Sequence, residues 1–156
     1  MSKKRIIILC LTLIMCFPVT AFAAVNVGVS KLPPVINDTG IIKPDSTSTP
    51  SKKSVYDTGD NYTVSGSASR SDLYTDKCFK GVTSISYSIT NKSSKDLKVN
   101  LCSYTKWGNV NYGVKKVTIP ANGKTSSSFS ELSSSKYYFI EFAAPSNFSG
   151  TVCGNQ

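Results

Sequence analysis

From Asn61 onward, apolar and polar side chains alternate with a period of two, the pattern of strands that bury one face and wet the other. In Ser84-Ile85-Ser86-Tyr87-Ser88-Ile89 the residues Ile85, Tyr87 and Ile89 share one face and the serines share the other. Asn91 to Asp96 supplies a polar turn, after which Leu97, Val99 and Leu101 alternate with Lys98, Asn100 and Cys102. The stretch from Lys136 to Ala143 is apolar on both sides, with Tyr138, Ile140 and Phe142 on one and Tyr137 and Phe139 on the other, which predicts a central strand. Val114 to Ile119 and Thr125 to Phe129 flank Pro120-Ala-Asn-Gly-Lys124, and Asn-Gly predicts a hairpin between them. A strict two-residue turn would set Phe129 opposite Lys116, so a bulged turn with Gly123 in the left-handed region is expected. Asn61 to Ser69, Leu73 to Phe79 and Phe148 to Cys153 complete a set of seven to eight short strands. No segment has the three-and-four spacing of a long amphipathic helix. The expected fold is therefore all-β: a single antiparallel two-sheet sandwich over 61–156.

The chain upstream reads differently. Residues 25–60 carry Pro33, Pro34, Pro44 and Pro50 and polar Ser/Thr/Lys tracts, with too little apolar surface to offset the entropy of ordering them. A flexible linker is expected there, although Val25, Val27, Val29, Val35 and Ile41 leave scope for a short strand to dock on the domain. Residues 1–24 have the order of a secretory signal peptide: Lys3, Lys4 and Arg5, an apolar run from Ile6 to Phe17, Pro18, and the small-residue end Ala21-Phe22-Ala23-Ala24. The apolar run falls short of the ~20 residues that span a bilayer as a helix. The expectation is a secreted, extracellular protein of bacterial type, with no transmembrane segment in the mature chain.

Composition narrows the chemistry. The formal charge of +9 falls to +6 once the three basic residues of the leader are removed, leaving fifteen basic against nine acidic side chains. The lysines are scattered and Arg70 is the one arginine left, so the bidentate phosphate and base recognition of nucleic-acid readers is missing and no specific nucleic-acid partner is expected. The absence of histidine removes Ser-His-Asp and Cys-His machinery and the usual zinc sites. No catalytic residue, cofactor or metal is expected, and a hydrolase built on paired carboxylates ranks behind non-catalytic binding.

The stretches Ser86-Tyr-Ser-Ile-Thr-Asn91, Leu97-Lys-Val-Asn-Leu101 and Val117-Thr-Ile-Pro-Ala-Asn-Gly123 resemble small extracellular immunoglobulin-like sandwiches of bacteria. Tyr137-Tyr-Phe-Ile-Glu-Phe142 with Phe148-Ser-Gly-Thr-Val152 is similar to the end of jelly-roll modules of the pre-peptidase carboxy-terminal type. Both resemblances imply a β-sandwich, immunoglobulin-like or jelly-roll, and neither brings a catalytic residue with it.

Cys78, Cys102 and Cys153 remain once the leader is removed. If strands 73–79, 83–90 and 97–103 form a meander, Cys78 and Cys102 lie about two strand spacings apart, roughly 9–10 Å, beyond disulfide reach. A bridge between Cys102 and Cys153 is the preferred pairing, with unpaired thiols as the alternative. Tyr104, Lys106, Trp107, Asn109, Asn111 and Tyr112 form an aromatic and polar segment in which rings could stack on sugars and amides bind hydroxyls. With Lys115 and Lys116 as cationic neighbours, the candidate ligand is a glycan or an anionic cell-wall polymer. Equally, Trp107 fits a cap on the core, with the asparagines and glycines shaping a turn. The function expected is a secreted non-catalytic binding module acting at or near the cell surface; the alternative is a secreted cationic effector, an antibacterial protein or inhibitor.

Overall fold

A computed structural model describes residues 25–34, 55–56, 59–105 and 109–156, with backbone alone for 55–56. The leader expected over 1–24 lies outside the described residues. The strands are β1 (Val29–Ser30), β2 (Val55–Tyr56), β3 (Tyr62–Ala68), β4 (Leu73–Thr75), β5 (Cys78–Lys80), β6 (Ser84–Asn91), β7 (Leu97–Tyr104), β8 (Val110–Ile119), β9 (Lys124–Phe129), β10 (Tyr137–Phe142) and β11 (Ser146–Asn155). No helix occurs among the described residues.

Two sheets face each other. One is four strands in the order β3-β11-β6-β9, all antiparallel. The other has β10 at its centre, paired on one edge with β7 and then β8, and on the other with β4 and β5 in succession. β1 extends the sheet antiparallel outside β4, and β2 extends it parallel outside β5, so seven strands fill five lanes. From β3 to β11 the chain changes sheet at every connection except β4–β5, which share a lane, and the β7–β8 hairpin; this is the strand order of a jelly roll. The two-sided burial of β10 agrees with the central position expected from its sequence.

The alternating residues meet between the sheets. Val64, Ile85, Ile89 and Phe148 from one sheet pack on Leu73, Leu97, Val99, Leu101, Ile140 and Phe142 from the other, all buried. The rings of Phe142 and Phe148 stack across the interface, 3.9 Å between centroids and 17° from parallel. Fully burying one such side chain contributes about 1.5–3 kcal/mol.

Two expectations of strand pairing are corrected. Val114–Ile119 and Thr125–Phe129 do not form a hairpin: β8 pairs with β7 while β9 pairs with β6, so residues 120–123 turn the corner from one sheet to the other. The residue in the left-handed region is Asn122, at φ 52°, rather than Gly123. Buried Asn91 fixes this corner, its Nδ2 donating to the carbonyls of Lys95, Ile119 and Pro120 while its Oδ1 accepts from Ser93 N. Nor do 73–79, 83–90 and 97–103 form a meander, because β6 belongs to the opposite sheet; the strand between β5 and β7 is β10. The amino-terminal valines do dock: Val29 is buried on β1, and Val27 exchanges backbone hydrogen bonds with Ser65.

Candidate functional site

Strand alternation gives the five-lane sheet a second, outward set of side chains. The register lines up Ser30, Tyr74, Glu141, Asn100 and Lys116 in one row across β1, β4, β10, β7 and β8. Glu141 stands at its centre, 8% exposed, and buried carboxylates persist only when hydrogen-bonded or paired. Asn100 Nδ2 donates to its Oε2 at 2.8 Å, the Tyr74 hydroxyl approaches its Oε1 at 3.5 Å, and the Cys102 thiol lies 3.9 Å from Oε2.

Beside this row lies an aromatic patch. Phe139, fully buried, is flanked by Tyr74 at 6.1 Å and Tyr104 at 5.2 Å between ring centroids. Tyr137 sits at the next outward position of β10, and Lys80 Nζ is 2.5 Å from its hydroxyl and 4.5 Å from its ring centroid. Cys78 and Cys102 are buried with Phe139 on this side of the sheet.

A bulge completes the face. Leu101 pairs with Lys115 and Ser103 with Asn111, so Tyr112, Gly113 and Val114 stand opposite Cys102 alone. Gly113 takes φ +66°, and a Cβ there would lie 2.5 Å from the Lys116 side chain that runs over it. The bulge leaves Tyr112 53% exposed at the edge of the patch. Burial holds the Tyr112 phenol above its ordinary pKa, with Cys102, Glu141 and Asp72 acting in the same direction. The Tyr74 phenol is raised by burial and then by Glu141 and Tyr112.

The residues singled out in the sequence divide accordingly. Tyr104 and Tyr112 belong to this face, as does Lys116. Tyr104, however, is half-buried and donates its hydroxyl to the carbonyl of Pro34. Lys115 is in register with inward-facing Leu101 and pairs with Glu131 at 3.8 Å, an exposed ion pair of small energy. Lys106 and Trp107 lie outside the described residues. The Cys102–Cys153 bridge is corrected: all three described cysteines are free. Cys102 points out from one sheet and Cys153 from the other, where its thiol lies 3.7 Å from Asn155 Oδ1, so the whole sandwich separates them. Burial pushes the Cys78 thiol up to about 12, and burial with Glu141 nearby pushes Cys102 up to about 11 despite a hydrogen bond from Gly113 N. Both stay protonated near neutral pH and are poor nucleophiles. Among the described residues, no three His, Cys, Asp or Glu side chains are grouped to hold a metal ion.

Tyr74, Asn100, Tyr137 and Glu141 were not picked out from the sequence as site residues. The alternation that puts Tyr137 and Phe139 on the non-core side of β10 extends to Glu141, and was the available signal.

No family model matches the chain, and no curated protein matches it in sequence. Among solved structures, one from a study of the binding sub-sites of a family 6 carbohydrate-binding module, by crystallography and isothermal titration calorimetry, is similar. It is 7% identical over 60% of this chain and 73% of that one, with a TM-score of 0.37, a likeness at the level of a β-sandwich.

Proposed function

We propose that this chain is a secreted, non-catalytic module that binds a glycan at or near a cell surface, on the outward face of its five-lane sheet. The observation that carries the reading is the Tyr74–Glu141–Asn100–Lys116 row beside Tyr112 and Tyr137. Aromatic rings offer stacking surface for the C–H faces of a pyranose, and the amide, carboxylate and phenols offer hydrogen-bond partners for its hydroxyls. Apolar walls with a few converging polar groups are the usual make-up of a small-ligand site. Lysines stand at the rim, at Lys80 and Lys116, while the carboxylate stands at the centre. A neutral glycan therefore suits the face better than an acidic polymer, whose charge would meet Glu141. The protonated thiols and the lack of histidine argue against turnover.

The test is isothermal titration with soluble oligosaccharides, among them the hexamer of N-acetylglucosamine, on wild type and Tyr112→Ala. Losing one exposed stacking ring should weaken binding about tenfold or more, equivalent to about 1.4 kcal/mol. Stability should change by less than about 0.5 kcal/mol, because Tyr112 is half exposed. Unchanged affinity in a folded Tyr112→Ala would refute the assignment of the face.

A further inference from the structure

We infer that Leu32–Pro34 is a releasable cover on the aromatic face, and that its release is coupled to ligand binding there. The coupling rests on the glycan reading above; the release does not.

The segment that carries the cover has two differently held halves. Its first half is anchored. Asn26 Oδ1 accepts from Ser67 N at 3.1 Å, and Val27 exchanges backbone bonds of 2.8 and 2.9 Å with Ser65. The carbonyl of Gly28 accepts from Asp76 N at 3.1 Å and from the Tyr62 hydroxyl at 2.7 Å. Gly28 has φ +64°, and a Cβ there would lie 2.3 Å from the Thr63 carbonyl oxygen, so the chain runs against β3 at a distance that excludes other residues. Val29 and Ser30 then pair with Thr75 and Tyr74.

Beyond Ser30 the bonding changes. Among the described residues, no backbone hydrogen bond ties 31–34 to the sheet. Lys31 and Leu32 are exposed, Leu32 by 63%, and then Pro34 is buried. The Tyr104 hydroxyl donates to the Pro34 carbonyl, while the Tyr104 ring lies against Phe139 in the patch where the glycan is proposed to stack. Proline has no N–H to contribute to a ladder, so among the described residues this half is held by two side-chain hydroxyls, Ser30 donating to the Leu32 carbonyl and Tyr104 to that of Pro34, and by apolar burial. A segment with a fixed root and so few hydrogen bonds of its own can lift without unfolding the sandwich. Any ligand that covers Tyr104 must displace it, and the apparent affinity is reduced by the fraction of molecules in which the strap is closed.

Tyr104→Phe removes the latch and keeps the ring. Losing one such hydrogen bond should raise the open fraction about fivefold when the strap is mostly closed. Two readouts are taken: affinity for the N-acetylglucosamine hexamer, and the rate of limited tryptic cleavage after exposed Lys31. The expected result is about fivefold tighter binding and about fivefold faster cleavage in Tyr104→Phe, with the hexamer also speeding cleavage of wild type. If the hexamer binds wild type and leaves Lys31 cleavage unchanged or slower, the coupling is overturned while the glycan reading stands. If neither protein binds the hexamer, the strap is judged by cleavage alone, and a Tyr104→Phe protein cut at the wild-type rate overturns it.

Discussion

On the four-stranded sheet the outward positions are Thr63, Ser65 and Ser67 on β3, Asn147, Ser149, Thr151, Cys153 and Asn155 on β11, Ser84, Ser86, Ser88 and Thr90 on β6, and Lys124, Ser126 and Ser128 on β9. On the five-lane sheet they include Tyr74, Cys78, Asn100, Cys102, Tyr104, Tyr137, Phe139 and Glu141, with Ser30, Lys80, Lys98, Lys116 and Thr118 around them. Both sets arise from the same alternation, and their physics differs. Polar groups on the first face bond one another locally, the Ser88 and Ser126 hydroxyls at 2.8 Å and Asn155 Nδ2 donating to the Ser86 hydroxyl at 2.9 Å. They have too little apolar area to assemble a second layer. On the other face Phe139, Cys78 and Cys102 are fully buried although they point away from the core, so that face has to be covered. The β8 bulge and the Pro34 strap lie over it. The lesson is that a sandwich with one core can carry a second apolar layer on one side alone.

The sharpest way to break this contrast is Phe139→Ala. If the outward layer is a true packing layer, the loss should be about 3–5 kcal/mol, as for a core phenylalanine, read from the urea midpoint at constant slope. A cost near that of a surface substitution would mean the layer contributes nothing.

The buried thiols give the next largest effect. Their pKa values are raised on folding, so the stability they contribute is fully present below the unfolded value near 9. It is lost as pH rises through about 11 for Cys102 and about 12 for Cys78. Replacing both by alanine should flatten the stability decline between pH 9 and 11 in denaturant titrations. A limb that is as steep without them assigns it to other groups. At pH 8, a thiol reagent should modify Cys153 in the folded protein and reach Cys78 and Cys102 only on unfolding, as peptide mapping would show.

The smallest effect belongs to the hydroxyl face. Ser88→Ala should change stability by no more than about 0.5 kcal/mol and leave hexamer affinity unaltered. A loss of binding there would move the functional face to the other side of the molecule.

Much of the fold was legible. Ile85, Tyr87 and Ile89, then Leu97, Val99 and Leu101, are buried as their alternation requires, and the two-sided apolar character of 137–142 marked the central lane. Alternation fixes which way a side chain points and leaves open which strand lies alongside. The Asn122-Gly123 turn therefore read as a hairpin, although a tight turn serves equally well to cross from one sheet to the other. Half of the candidate site was hidden for the same reason. Tyr104 and Tyr112 are close in sequence and stand out as an aromatic segment. Tyr74, Asn100 and Glu141 come from three strands separated by up to 67 positions, and register alone unites them.

The central place of β11 bears on when the protein can exist at all. It is flanked by β3 and β6, which it joins into one sheet, so strands made early wait for the strand made latest among those described. A chain emerging from the ribosome, or threaded amino end first through a narrow channel, keeps this half of its core open until residue 155 has arrived. Pairings between strands so distant in sequence also close slowly, because the entropy of the intervening loop is lost before the contacts form. The arrangement delays completion of this sheet until β11 itself is present.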